Sequence, residues 1–222
     1  RGLDSALLHA GADMALLLPQ PPIFRTYVIA KRLKIAPNVR YVCVSLKAGR
    51  HTSDSRQIIT AALRMLCRHE NLLPVFVPLD VGDISVNADA AHRLKGKLFF
   101  PNEATDVVAL LRNAVLLVSM RLHGLILATT VSLPTVGISS ADDQKIPSFA
   151  RVAAQEYLTP EDLSAAALVE ICQNLLTRRA SLRPLIADAC CDLQKNAKKD
   201  LANIASMVYN KGRDILKSED TI

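Results

Sequence analysis

Residues 114–138 read AVLLVSMRLHGLILATTVSLPTVGI, and this stretch decides the fold. Ala114 to Val118 is an uninterrupted apolar run of strand length. Residues 120–130 follow with apolar side chains nearly all round, the mark of a buried helix. Pro134 to Ile138 is again an apolar run of strand length. A strand, a buried helix and a second strand in so short a span describe a βαβ unit, with parallel strands covered on both faces.

The same alternation extends upstream. Residues 39–46 (VRYVCVSL) predict a strand bounded by Pro37-Asn38 and Gly49. Over 54–69, Ile58, Ile59, Ala62, Leu63 and Leu66 stand at helical spacing, with Ser53 or Asp54 as N-cap. Then come a strand at 72–78 (LLPVFVP), a short helix at 87–95, a strand at Lys97 to Phe100 and a helix at 103–112 opened by Pro101-Asn102-Glu103. The expected fold class is α/β: a Rossmann-like, three-layer parallel sheet over 38–158, with extra C-terminal helices over 159–222. The first of these helices is expected at 161–177, with Thr159 at N-cap and Pro160 at N1. The second is long and amphipathic, over 183–217. Residues 1–37 read as a helix end, a strand-like piece at Ala15 to Leu18, a turn rich in proline (Pro19, Pro21, Pro22) and a basic segment. The chain opens at Arg1 in mid-pattern, so the expectation is a portion of a longer enzyme, with 1–37 the end of an N-terminal half and an interdomain linker.

The 222 residues are 50% hydrophobic and 22% charged, which excludes a disordered tail or a coiled coil. The net charge is +6, and the span Arg25 to Arg68 alone carries +9, with Asp54 its one acid. So local an excess points to an anionic partner for one region, and equally to a solvated basic face. Nucleic acid fits poorly, because aromatics are 4% and Trp is absent. Five cysteines are an odd number without metal-ligand spacing, so a reducing cytoplasm and no metal are expected. No apolar run is long enough to span a membrane, and no strand is followed by a Gly-rich dinucleotide fingerprint.

In an open parallel sheet, ligands bind outside the carboxyl ends of the strands. The turn after the first strand, Ser45 to His51, offers Lys47, Arg50 and His51. The turn after the fourth, Ser119 to Gly124, places Arg121 and His123 on the first turn of the buried helix. Free N–H groups and the helix dipole favour an anion there, and an added Arg and His make a phosphate or carboxylate site. The same residues also allow a plainer reading, in which Arg121 pairs with a core carboxylate and His123 merely packs.

Residues 118–128 (VSMRLHGLILA) resemble the Ser-Met-Arg-Leu-His signature of polysaccharide pyruvyl transferases. The flanks agree: a Pro-led strand at 134–138, then a loop carrying Asp142, Asp143 and Lys145 ahead of Phe149-Ala150. Gly11-Ala12-Asp13 resembles the family's entry into its second half. Two departures stand out. The family's Tyr-Asp-Pro-Lys loop is here Ser140 to Lys145, and Lys47 stands where the family often shows an Arg. The resemblance implies the C-terminal half of a GT-B-like fold, which transfers a pyruvyl group from phosphoenolpyruvate to a sugar as a ketal. It implies His123 as general acid/base, and Arg121, Leu122, Lys47, Lys145 and Ser119 around the donor. His51 and Arg50 are candidate substrate contacts. The implied partners are phosphoenolpyruvate as donor substrate, with no cofactor, a sugar or lipid-linked glycan as acceptor, and a missing N-terminal domain. Peripheral association at the inner face of the membrane and a homodimer stay open. So do two alternatives: a nucleotide-sugar glycosyltransferase half of the same architecture, and a non-catalytic basic binding module.

Overall fold

A computed structural model describes residues 12–49, 52–141 and 143–219, with side chains as far as residue 207. Among these residues, six parallel strands form one sheet: β1 (Tyr41–Ser45), β2 (Leu73–Phe76), β3 (Lys97–Leu98), β4 (Leu116–Ser119), β5 (Thr135–Ile138) and β6 (Glu156–Leu158). Their order is β3-β2-β1-β4-β5-β6. Among the described residues, eight α-helices flank them: α1 (Ile23–Arg32), α2 (Ser53–Glu70), α3 (Ile84–Arg93), α4 (Ala104–Leu111), α5 (Leu122–Thr129), α6 (Lys145–Val152), α7 (Ala165–Thr177) and α8 (Arg179–Glu219). Short 3-10 turns occupy Met14–Leu17 and Val81–Asp83.

Successive strand residues point to opposite faces, and both faces are apolar. Val42, Val44, Leu116 and Val118 join one core with Ile59, Leu63 and Leu66 of α2 and Leu168 of α7. Tyr41, Cys43, Val75 and Leu117 join the other with Ile29 of α1, Val107 to Leu111 of α4, and Leu127 of α5. The three layers and the parallel sheet expected from the sequence are therefore present.

Several elements differ from expectation. Ala15 to Leu18 is not strand-like: it lies on the 3-10 turn, whose N-cap Asp13 accepts the Ala15 N–H. The basic segment after the prolines folds as α1, anchored by Arg25 to the buried Asp106 of α4 at 2.6 Å. The expected loop ends early, at Gln144: Lys145 already opens α6, which runs through Phe149-Ala150 and has Pro147 in its first turn, where a missing N–H breaks no helical bond. Strand β6 adds an edge of three residues. Thr159 does not cap the following helix: its hydroxyl turns to Asp162, and Ser164 caps α7 by accepting the Ala167 N–H. No helix among the described residues is long and apolar enough to cross a membrane.

The cysteines are free thiols. Burial pushes Cys67 and Cys172 up to about 12. In the unfolded chain these thiols ionise from about pH 8.5. A folded pKa above the unfolded one means stability is full below pH 8.5 and lost as pH rises beyond it. Each of the two thiols is expected to remove about 1.4 kcal/mol per pH unit between pH 9 and 11. Urea midpoints across that range check this, and a flat profile contradicts it.

Candidate functional site

The strand order reverses direction between β1 and β4, the place where an open α/β sheet leaves a crevice at its carboxyl edge. The turns singled out in the sequence, after Ser45 and after Ser119, are neighbours there. Ser45 and Ser119 share a register position, and the Met120 N–H donates to the Ser45 carbonyl at 2.8 Å.

A third turn, from the loop after β2, ties these two together. Asp83 is fully buried. Its carboxylate takes two bonds from Arg121, from Nε at 2.7 Å and Nη2 at 2.8 Å, and a third from the Ala48 N–H at 2.8 Å. Asp80 stands 3.8 Å from Nη2. The hydrogen bond to Asp83 holds the Arg121 guanidinium more firmly protonated, against the opposing effect of burial. One turn along α3, the buried Asn87 accepts from the Leu46 N–H at 3.0 Å and donates to the Leu46 carbonyl at 2.9 Å. Asp83 and Asn87 thus hold the β1 turn on both sides of Lys47. Of the two readings of Arg121, the pairing with a core carboxylate is the one the structure holds. Nε and Nη2 are committed to Asp83, and the Nη1 edge is left on a side chain 28% exposed.

Ser119 does not offer its hydroxyl to a ligand, which corrects its expected place among the donor contacts. It is fully buried, and its Oγ donates to the Arg121 carbonyl and accepts the Arg121 N–H. A Cβ at Gly124 would come within 2.3 Å of that Oγ, so glycine is what lets α5 start this close to β4. Leu122 likewise turns its side chain inward, against Leu125, Ile146 and Ala150. What it presents to the crevice is its backbone. Among the described residues, the N–H groups of Leu122 and His123 have no acceptor, and the α5 N-cap supplies no side-chain bond.

His123 projects into solvent with a side chain 66% exposed, and its Nε2 lies 3.6 Å from Oδ2 of Asp13. That is an ion-pair distance, longer than a hydrogen bond. The imidazole sits on the rim of a groove of about 350 Å³ walled by Leu18, Pro78, Leu79, Pro101, Asn102 and Glu103. Lys47 is half-buried, and its carbonyl accepts from Thr52 Oγ1 and Arg56 Nη1. Its ammonium makes no ion pair among the described residues. Lys145 is exposed at the start of α6, one strand further along the edge, with its N–H on Asp143. Arg50, His51 and Asp142 lie outside the described residues. No cluster of metal-binding type occurs among the described residues.

Asp83, Asn87 and Asp13 were not singled out as site residues from the sequence. The signal for Asp83 was present, as an acid in the turn after a strand that faces a cation from another turn.

The described residues form a Rossmann-like domain of the kind found in GT-B folds: a six-stranded parallel sheet, its carboxyl-edge turns carrying cations and free N–H groups. Solved structures bear out the fold. The C-terminal CMP-Kdo binding domain of WaaA from Acinetobacter baumannii superposes with a TM-score of 0.53 at 12% identity, over 82% of this chain and 99% of that one. A glycosyltransferase from Rickettsia africae gives 0.62 at 13% identity, over 90% of this chain and 56% of its own. E. coli ADP-heptose LPS heptosyltransferase II gives 0.58 at 12% identity, over 73% and 56%. The chain therefore spans about half the length of these two glycosyltransferases. No protein of curated function matches the sequence significantly. The sequence model of the polysaccharide pyruvyl transferase family matches residues 2–142, and the chain belongs to that family.

Proposed function

We propose that this chain is the donor-binding half of a pyruvyl transferase. In that reading, phosphoenolpyruvate sits in the crevice between the β1 and β4 turns, and its pyruvyl group passes to two hydroxyls of a glycan sugar. The observation that supports the reading is the placement of Lys47, Arg121 and His123 on two neighbouring turns at the strand-order reversal, two of them on the turn that Asp83 ties to the other, inside the span that matches the family.

Phosphoenolpyruvate presents a phosphate and a carboxylate close together. Lys47, the Nη1 edge of Arg121 and the N–H groups of Leu122 and His123 supply fixed positive charge and donors for them. Lys145 stands further out and serves as a closing contact. Protonation of the methylene carbon makes the neighbouring carbon electrophilic. One sugar hydroxyl adds there, phosphate departs, and the second hydroxyl closes the ketal. Of the two hydroxyl protons, one ends on the new methyl group and the other on the released phosphate. Imidazole is the side chain most often used as a general acid or base, and His123, beside Asp13, is the group assigned that task. The acceptor surface belongs to a second half placed over the carboxyl edge, and the reaction belongs at the cytoplasmic face, where the donor is made.

The test joins this half to its acceptor half and supplies phosphoenolpyruvate and a glycan. Expected are acceptor-dependent phosphate release and a new ketal methyl singlet in the proton NMR spectrum. Phosphate release without that methyl signal, or sugar transfer from a nucleotide sugar in its place, overturns the proposal.

A further inference from the structure

Helix α1 is apolar on both sides. Its inner side buries Thr26 and Ile29, and Leu33 follows as its C-cap, in the core shared with α4. Its outer side carries Ile23, Phe24, Tyr27 and Val28, which are 82%, 66%, 69% and 49% exposed. At helical spacing these four and Lys31 share one stripe, where a surface helix of a globular domain places polar residues. Single exposed apolar residues are ordinary, but a contiguous aromatic and aliphatic stripe marks an interaction surface.

Charge selects the partner. Lys31 lies in the stripe, and Arg32, Lys34 and Arg40 are exposed just beyond it. No Asp or Glu occurs between Met14 and Ser53. Aromatic and aliphatic side chains ringed by cations, with no acid among them, complement an anionic lipid surface: the rings enter the headgroup boundary and the cations meet the phosphates.

Position points the same way. A groove of about 500 Å³ beside the stripe is lined by Ile23, Tyr27, Lys31, Val39 and Arg112. It opens beside the residues that precede β1 and β4, at the amino edge of the sheet. The Asp83 turns lie at the carboxyl edge. A second half closing over the carboxyl edge leaves this face uncovered.

We propose that the outer face of α1 docks this domain on an anionic bilayer, with the carboxyl-edge crevice directed away from the lipid. The inference rests on the α1 face and its cationic border, takes only the placement of a second half from the proposed function, and stands whichever donor the crevice takes. Co-sedimentation of this chain with vesicles tests it. Binding is expected to vesicles of equal phosphatidylcholine and phosphatidylglycerol, and more than about 100-fold less to phosphatidylcholine alone, where the attraction of all four cations is lost. Lys31→Gln with Lys34→Asn should weaken binding about 25-fold, roughly fivefold per charge. Asparagine suits position 34, where φ is 55°. Phe24→Ser with Tyr27→Ser should reduce binding to background with an unchanged melting curve, because both side chains point into solvent. Absence of binding to anionic vesicles overturns the proposal. So does binding that survives the serine pair, which is adsorption by charge alone. A concentration-dependent dimer that the serine pair abolishes also overturns it, by giving the face to a second copy.

Discussion

Replacing Arg121 with leucine is expected to lower the unfolding free energy by about 3–5 kcal/mol, because Asp83 is left fully buried without its countercharge. The Ala48 N–H alone would then face that carboxylate closely. Removing one partner of a buried pair costs far more than removing the charge from both. Adding Asp83→Asn should therefore recover most of the loss, since the amide oxygen can still accept from Ala48 while carrying no charge. The double variant separates two roles of Arg121. Its fold returns, whereas its hold on a small dianion does not, because the Nη1 edge and the guanidinium charge are gone. Urea unfolding of the single and double variants provides the check. A loss below about 1 kcal/mol in Arg121→Leu means that Asp83 finds solvent and that the three turns are not tied as described.

In the proposed enzyme, with an acceptor half joined to this chain, His123→Gln is expected to lower turnover about 10²–10⁴-fold, the range that positioned acid–base groups contribute. The side chain is largely exposed and no other described residue depends on it, so the melting curve should barely move. Donor affinity should fall only a few-fold, because the His123 N–H, Leu122 N–H and Lys47 are retained. Near-normal turnover with strongly weakened donor binding would assign His123 to anion binding and remove its proton-transfer role.

The parts of the fold that were plain in the sequence are those where one physical signal stands alone. Strands β1, β4 and β5 are buried on both faces, so they read as unbroken apolar runs, and α2 shows one clean apolar stripe. Helix α1 was hidden because both of its faces are apolar and it follows two prolines, which mimics an extended segment. Helix α6 was hidden by Pro147 in its first turn, and β6 by its three residues at the sheet edge.

The site divides in the same way. Ligands of open parallel sheets bind at the strands' carboxyl ends, so Lys47, Arg121 and His123 stand out from their place in the turns after β1 and β4. Their wiring could not. Asp80 and Asp83 stand three residues apart in one turn, both chemically suited to cap a helix. Asp80 does cap, through the Gly82 N–H, and is 55% exposed, while Asp83 is buried and takes the arginine. Which acid turns inward depends on how the β2 turn packs against the β1 and β4 turns, and local spacing carries no record of that. Ser119 shows the converse. A hydroxyl beside a ligand turn reads as a contact, yet the close start of α5 uses it internally.

The central claim is that the crevice between the β1 and β4 turns holds phosphoenolpyruvate. Isothermal titration of this chain with phosphoenolpyruvate, and separately with UDP-sugars, tests it most directly. The expected result is saturable binding of phosphoenolpyruvate at one site, weakened about tenfold or more by Lys47→Gln, one charge-assisted contact being worth that much. No heat with phosphoenolpyruvate and saturable binding of a UDP-sugar would contradict it.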